Sequence, residues 1–566
     1  MYLVKAIVPA ALGLSLPQPE PQASRTMQAS HAVFLRRHTM TMTTPPSPQP
    51  RKRLPIGRQT LSLLLQEGCY YADKSGYAVD LAQTGTYYFL SRPRRFGKSL
   101  LLDTFKELFE GNAALFKGLA AENRWDWGKQ HPVIRISFGS GVLKTPADLA
   151  QRTQAILRTN RERMNLPRPA DWPEADTSGN LSHLIIQAHQ MSGQRVVVLI
   201  DEYDKPILDN ITDQTTATVM REGLKDLYSV LKDMDEHVRF VFITGVSKFS
   251  KVSLFSGLNN LKDITLDPRY SALCGYTDND VDTVFAPELP GLDREEIRRW
   301  YNGYNWLGES VYNPFDLLLL FDFREFRPYW FETGTPTFLI KLLAEKKQFT
   351  PDIGRIVAAE SLLSTFDVDH IPVEALMFQA GYLTIASARH LPGRLQLALK
   401  YPNLEVQASL NDSLLQHFTG NPLAAGNQVV ALYDLLLAQD GPGMKALFHA
   451  FFASIPHDWY RNSPIAQFEG YYASIFYSHF AALGLDIRLE DTSNHGRMDM
   501  TVLFQGCVWI FEFKVVELVP EGRALQQIQQ KAYADKYRAR GEPIYLVGVE
   551  FSKQDRNIVA FEVASA

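Results

Sequence analysis

Cysteine is scarce. Only Cys69, Cys274 and Cys507 occur in 566 residues, far apart and without the paired spacing of a zinc site. That excludes a disulfide framework and a Cys-based metal centre, and it fits a reducing cytoplasm. No apolar run reaches the length of about 18 residues that spans a bilayer, so no membrane partner is expected. An excess of positive charge is also missing. Lys plus Arg number 58 against 62 Asp plus Glu, a formal net charge of −4. A protein coated in basic surface is thereby excluded, and nucleic-acid binding has to come from local patches or bound cations. There is no internal repeat, and no low-complexity tract beyond the N-terminus.

What is present points to several α/β domains, about three to five for a chain of this length. Residues 3–16 have the look of a short secretory signal, but Pro9 breaks the apolar run and no clean cleavage site follows. A start at Met40 or Met42 is the favoured alternative to export. The region 1–52, rich in Pro, Ser, Thr, Met and Gln, reads as a disordered extension. Apolar strands are expected at Tyr87–Leu90, Val133–Ser137, Val196–Ile200 and Arg239–Thr244, separated by helices such as 146–165 and 215–234. Such alternation implies a parallel sheet with helices on both faces, over 53–289. A helical lid (290–349) is expected next, then a winged-helix-like module (350–412) with strands at Tyr382–Ala386 and Leu395–Leu399. A helical linker (413–463) and a final α/β block (464–566) complete the chain.

The first chemical motif is Arg92-Pro-Arg-Arg95-Phe-Gly97-Lys98-Ser99, between a strand and a helix. A phosphate loop needs inward backbone N–H groups, a Lys for the β/γ phosphates and a Ser or Thr for Mg²⁺. Arg92 stands where the first glycine of the pattern belongs. About a hundred residues on, an apolar strand runs into Asp201-Glu202, suited to a Mg²⁺ shell and to polarising a water. A third strand ends at Thr244, a candidate γ-phosphate sensor, with Ser247 and Lys248 following. Each feature alone is as readily a turn or a helix cap. All three in order, each at a strand end, indicate a P-loop NTPase that binds ATP and Mg²⁺ through Arg95, Gly97, Lys98, Ser99, Asp201 and Thr244.

The second constellation is Gly496-Arg497-Met498-Asp499, a run to Phe504, Gln505-Gly506, then Cys507 to Glu512-Phe513-Lys514. Two apolar runs around Gln-Gly read as a hairpin. Counting outward from that turn sets Asp499 opposite Glu512, with Cβ atoms roughly 4.5–5.5 Å apart. Glu512 and Lys514 share a face, and Phe511 and Phe513 point into the core. Two carboxylates and an ammonium on one face suit Mg²⁺-assisted phosphodiester hydrolysis. Gln527 and Lys531, four apart on a helix expected over 521–538, share a face suited to a substrate backbone, and Arg497 is a further candidate contact to nucleic acid.

The chain resembles a bacterial family, AAA-ATPase-like and joined to a C-terminal PD-(D/E)XK nuclease domain. The resemblance runs from about residue 54 to the end. It rests on Tyr71-Ala-Asp73-Lys74-Ser75, SRPRRFGKS, IDEYDKP (200–206), ITGVSKFS (243–250), WYNGYNW (300–306), YNPF (312–315) and FQAGYLTI (378–385). It implies ATP and Mg²⁺ binding at Lys98, Ser99, Asp201 and Glu202, makes Arg92 a family trait, and implies a helix glutamate at Glu469 as a further member of the nuclease centre. The C-terminal fold is then restriction-endonuclease-like. Asp73 and Lys74 read as a turn or ion pair, and the aromatics of 300–306 as lid core. The expected function is an ATP-binding P-loop protein coupled to a Mg²⁺-dependent nuclease acting on nucleic acid, DNA above all. A nucleotide-dependent switch whose nuclease-like domain binds without cutting is the other expectation. A homo-oligomer is compatible with either.

Overall fold

Short strands with both faces buried build the first sheet. They are β1 (Tyr87–Ser91), β2 (Val133–Ser137), β3 (Val196–Asp201) and β4 (Val238–Gly245), with a two-residue edge strand β5 (Lys262–Asp263). The computed structural model describes residues 50–566 apart from 170–171, 249–253, 256–257, 259, 335–338, 341–342, 344–355, 365–371, 420–421, 455–468 and 494–495. The expected N-terminal extension therefore lies outside the described residues, apart from its last three positions. The sheet is parallel, in the order β2-β3-β4-β1-β5. β4 thus separates the strand that leads into the phosphate loop from the strand that ends at Asp201. Phe105 of the Lys98–Phe109 helix packs 4.9 Å from Phe242 on one face, and Tyr203 packs 5.4 Å from Phe89 on the other. Both faces are covered, as the uninterrupted apolar strands require.

The lid has an apolar centre of its own, formed by Val281, Phe285, Ile297, Tyr301, Leu317 and Phe321 with Tyr70. Tyr301, Tyr304 and Trp306 of the WYNGYNW segment are all buried. Gly303 sits at φ +117, and a Cβ there would stand 2.0 Å from Pro402 O. Only glycine fits that crossing. A three-stranded antiparallel sheet follows: β6 (Val357–Ala359), β7 (Thr384–Leu391) and β8 (Arg394–Lys400), in the order β6-β8-β7. β7 begins two residues later than expected, because Gly381 at φ +97 caps the Val373–Ala380 helix and the chain turns before pairing. This module shares one continuous core with the first sheet.

The C-terminal sheet contains β9 (Asp486–Ser493), β10 (Gly496–Phe504), β11 (Cys507–Val516), β12 (Ile544–Ser552) and β13 (Ile558–Ser565), in the order β13-β12-β11-β10-β9. β11 and β12 are parallel and the other pairs antiparallel. Gln505 (φ 48) and Gly506 (φ 72) form the tight turn, with Phe504 opposite Cys507. The Glu469–Ala482 helix covers one face, Phe476 lying 5.2 Å from Phe513. The helices of 413–463 join that core. Phe448 stacks on Phe476 at 3.8 Å and Phe452 meets Phe551 at 5.3 Å. The other face holds the Arg523–Gln530 helix. The single helix expected over 521–538 is two pieces. Ala532 takes φ +47, and a short helix resumes at Asp535–Arg538.

Candidate functional site

The chain leaves β1 into the phosphate loop, which turns through two left-handed residues, Arg95 (φ 68) and Gly97 (φ 86), before the Lys98–Phe109 helix starts. Lys98 is buried, and its Nζ donates to the loop carbonyls of Arg92 (3.0 Å) and Pro93 (2.9 Å). Burial lowers its pKa, and the Asp201 charge opposes that shift. Ser99 Oγ donates to Asp201 Oδ2 at 2.6 Å. Asp201 Oδ1 and Thr244 Oγ1 are buried with no hydrogen-bond partner among the described residues. A buried carboxylate oxygen and hydroxyl left without partners fit a bound cation and phosphate. Glu202, at φ 51, lines the same cavity of about 630 Å³ as Lys98, Ser99 and Arg95. Burial, then the neighbouring Asp201, raises its pKa.

Arg92 turns away from the loop interior. Its guanidinium donates to the carbonyls of Ser91 (2.8 Å), Thr265 (3.0 Å) and Tyr270 (3.0 Å) and lies 3.9 Å from the Trp306 ring. It is fully buried, which lowers its pKa to about 10. So the residue in the glycine position fastens the loop to the segment after β5 and to the lid. Asp73 and Lys74 have no part in the loop. Asp73 accepts from the amides of Ser75 (2.8 Å) and Ala120 (2.6 Å), and Lys74 pairs with Asp280 at 2.8 Å.

Two members escaped the residue-by-residue reading. Asp204, within IDEYDKP, is fully buried and accepts from Ser247 N (2.8 Å) and Ser247 Oγ (2.6 Å), tying the end of β3 to the segment after β4. Burial raises its pKa. Gln379, within FQAGYLTI, accepts from Lys248 N at 2.6 Å, and a Cβ on Gly381 would stand 2.8 Å from Pro93 Cβ. The winged-helix-like module therefore touches both the phosphate loop and the segment after β4. Both motifs were visible in the sequence, but not what they touch.

In the C-terminal domain, pairing of β10 with β11 runs from Phe504–Cys507 to Met500–Phe511. Asp499 and Glu512 stand next in line, where the ladder stops. Asp499 Oδ2 instead accepts the Phe513 amide at 2.8 Å. Met498 and Thr501 lie on one side, 3.8 Å apart, so the strand's alternation breaks at Asp499. Glu512 is 1% exposed, and its Oε1 accepts from Lys514 Nζ at 3.1 Å and from Gln527 Nε2. Tyr533 feels the charges of Glu512, Asp499 and Lys514 together, and its hydroxyl donates to Arg497 O at 2.8 Å. Arg497 and Lys531 are exposed at the rim. The side chain of Glu469 lies outside the described residues; the helix it begins packs on the opposite face of the sheet from Glu512. Among the described residues no group of three or more His, Cys, Asp or Glu is placed to hold a metal.

One further carboxylate was not foreseen. Glu550 of β12, paired with Lys514 in register, is buried and accepts from the amides of Glu521 (2.6 Å) and Arg523 (2.6 Å). It fixes the start of the helix that carries Gln527. A lone glutamate at the end of a strand offered no sequence signal for that task.

Residues 55–255 match the family described as predicted AAA-ATPase, and residues 467–561 match the PD-(D/E)XK nuclease superfamily. A protein of Azotobacter chroococcum mcd 1, named "Uncharacterized protein in vnfD 5'region", is 61% identical over 516 residues, covering 91% of this chain and 99% of the relative. The chain belongs to the AAA-ATPase-like family and ends in a PD-(D/E)XK nuclease-superfamily domain. In the AAA-ATPase-like part, the family match spans the phosphate loop, β3 with Asp201 at its end, and β4 with Thr244 next to its last residue. In the PD-(D/E)XK part, it spans the whole hairpin and the helix that carries Gln527. Among the described residues, no helix is long and apolar enough to cross a membrane.

Proposed function

We propose that this protein binds ATP in its P-loop domain and hydrolyses nucleic-acid phosphodiester bonds, those of DNA, in its PD-(D/E)XK domain with Mg²⁺. The observation that carries the reading is the cluster at the open end of the β10–β11 hairpin. There Glu512, Lys514 and Gln527 are in direct contact and Asp499 is held to the Phe513 amide. Two carboxylates side by side, one of them nearly inaccessible, carry more negative charge than the single Lys514 ammonium offsets, and a divalent cation would complete the compensation. Hard carboxylate oxygens are the donors Mg²⁺ prefers. Asp499 and Glu512 would hold that ion. An ion held by these two carboxylates would supply Lewis-acid chemistry, polarising a phosphate oxygen and lowering the pKa of a bound water. Lys514 places a positive charge beside the reacting phosphate, Gln527 holds Glu512 in position, and Arg497 and Lys531 meet the backbone of the substrate.

In the P-loop domain, Lys98 would exchange its two loop carbonyls for phosphate oxygens. Ser99 and Asp201 would hold Mg²⁺, Glu202 would orient the attacking water, and Thr244 would sense the γ-phosphate. A second reading, binding without cutting, is favoured by the lack of a third metal-ligating side chain among the described residues. Purified full-length protein is to be incubated with plasmid and with single-stranded DNA, with Mg²⁺, with and without ATP. Cleavage abolished by Asp499→Ala and by Lys514→Ala supports the nuclease. No cleavage under any condition, with nucleotide-dependent DNA binding retained, establishes the second reading.

A further inference from the structure

Beyond Arg497 and Lys531, the C-terminal block offers little positive charge to hold a nucleic-acid substrate. Residues 464–566 carry more Asp and Glu than Lys and Arg, whereas nucleic acids are gripped chiefly through their phosphates. One stretch elsewhere has the opposite character. Between Glu374 and Glu405 there is no Asp or Glu, and within it stand Arg389, His390, Arg394 and Lys400. All four are exposed. Among the described residues none of the four has an ion-pair partner. Some exposed cations elsewhere on the surface are paired, such as Arg298 with Glu295 and Arg538 with Asp535.

The fold gathers these groups on the β7–β8 hairpin. Leu391 pairs with Arg394 across Pro392 and Gly393, whose φ of +74 closes the turn. β7 is the edge strand of its sheet. Its residues from Ala386 to His390 are all exposed, the first three small, so a polymer backbone can approach closely. At the foot of the hairpin a cavity of about 270 Å³ opens between β7 and the 303–310 loop, lined by Lys400, Ser387, Asn305 and Ser310. No carboxylate lines it. An ammonium and two hydroxyls are donors suited to a phosphate oxygen, while the Asn305 amide donates to Gly308 O at 2.6 Å and Ser310 Oγ at 3.2 Å and holds the loop in shape.

We propose that the β7–β8 hairpin and this cavity form a phosphate-backbone binding surface for nucleic acid. The identity of the partner rests on the nuclease reading; the surface itself rests on charge and geometry. A lipid surface fits less well, because the hairpin exposes no Trp, Tyr or Phe to insert. Each cation on a phosphate contributes about 0.9 to the slope of log affinity against log salt on duplex DNA.

The test uses full-length protein in an Asp499→Ala background, so that DNA survives. Fluorescence anisotropy with a labelled 30-base-pair duplex is measured between low and moderate salt. Replacing Arg389, Arg394 and Lys400 together by Ala should weaken binding at least ten-fold and flatten the salt slope by about 2–3. Arg389→Lys with Arg394→Lys should retain most of the affinity and the slope, which separates charge from damage to the hairpin. An unchanged affinity and slope in the triple variant overturns the proposal. So does binding of that surface to anionic vesicles but not to DNA. Hydrolysis of bis(p-nitrophenyl) phosphate by the Asp499-intact chain reads the nuclease centre separately. It should be untouched by the hairpin substitutions and lost with Lys514→Ala. Hairpin-dependent DNA binding without that hydrolysis sinks the nuclease reading and leaves the surface standing.

Discussion

Arg92 shows how one residue can mislead when read as a pattern mismatch. Its guanidinium satisfies three carbonyls and stacks on Trp306. Restoring a glycine there would strand those buried carbonyls, each at a cost of about 1–3 kcal/mol. Arg92→Gly is therefore expected to lower the Tm of the P-loop domain and to weaken ATP binding measured by calorimetry. Arg92→Lys should not rescue it, because an ammonium cannot make the forked contacts of a guanidinium. A Tm unchanged in Arg92→Gly would refute this role. The destination of that side chain was not legible in the sequence. Thr265, Tyr270 and Trp306 lie more than 170 residues away, and nothing local distinguishes an arginine that enters the loop from one that leaves it. Lys98, Ser99 and Asp201 were legible, because a strand end followed by a helix start leaves little freedom for short side chains.

At the scale of elements, tight packing sets the cluster around Glu512. A Cβ on Gly548 would stand 2.3 Å from Leu525 N and 2.7 Å from Leu525 Cα. Gly548→Ala should push the Arg523–Gln530 helix away from β12, cost on the order of 1–3 kcal/mol, and detach Gln527 from Glu512. The check is a Tm loss together with a fall in cleavage rate; an unchanged rate would contradict it. The Glu469–Ala482 helix carries its own titration. His479 is buried between Phe448 and Phe451, its Nδ1 paired with Ile475 O at 2.9 Å, and burial lowers its pKa to about 4. A depressed folded pKa for a base means stability that is present above pH 6.5 and lost as pH falls toward 4, on the order of 3 kcal/mol in all. His479→Phe should flatten the acid limb of a denaturation series over that window, and an unaltered limb would refute it.

The same scale shows what the sequence could and could not carry. β2 and the β10–β11 turn were readable, the first as an apolar run and the second as Gln-Gly between two such runs. β9 was missed because an edge strand reading Asp-Ile-Arg-Leu-Glu-Asp has too little apolar content to stand out. The break at Ala532 was missed because a positive φ fell on an alanine, with neither glycine nor proline to announce it. Asp499 was expected to pair directly opposite Glu512. Counting from the turn held as far as Met500, and beyond it the ladder ends where side-chain contacts take over from backbone pairing.

Over the whole molecule, buried polar contacts join the lid to the helix that leads toward the nuclease block. Asp316 and Glu405 are fully buried, and Glu405 Oε1 accepts the Trp330 amide at 2.9 Å. Burial, then the charge of Glu405, raises the pKa of Asp316. A raised folded pKa for an acid gives stability that is complete below about pH 4 and lost as pH rises through the folded value. Asp316→Asn should therefore raise the Tm more at pH 8 than at pH 5, and an equal shift at both would contradict the pairing. Trp330 also donates to Arg94 O in the phosphate loop at 3.2 Å. Lid, loop and the Leu404–Thr419 helix thus meet at one tryptophan.

The most direct test of the central claim is single-turnover cleavage of labelled DNA as Mg²⁺ is titrated, comparing wild type with Glu512→Gln. That substitution keeps the shape of the side chain and removes one metal-binding charge. The wild type should show saturable Mg²⁺-dependent cleavage, and the variant a rate lower by on the order of 100-fold. Equal rates in the two proteins, or no cleavage by the wild type at any Mg²⁺ concentration, would contradict it.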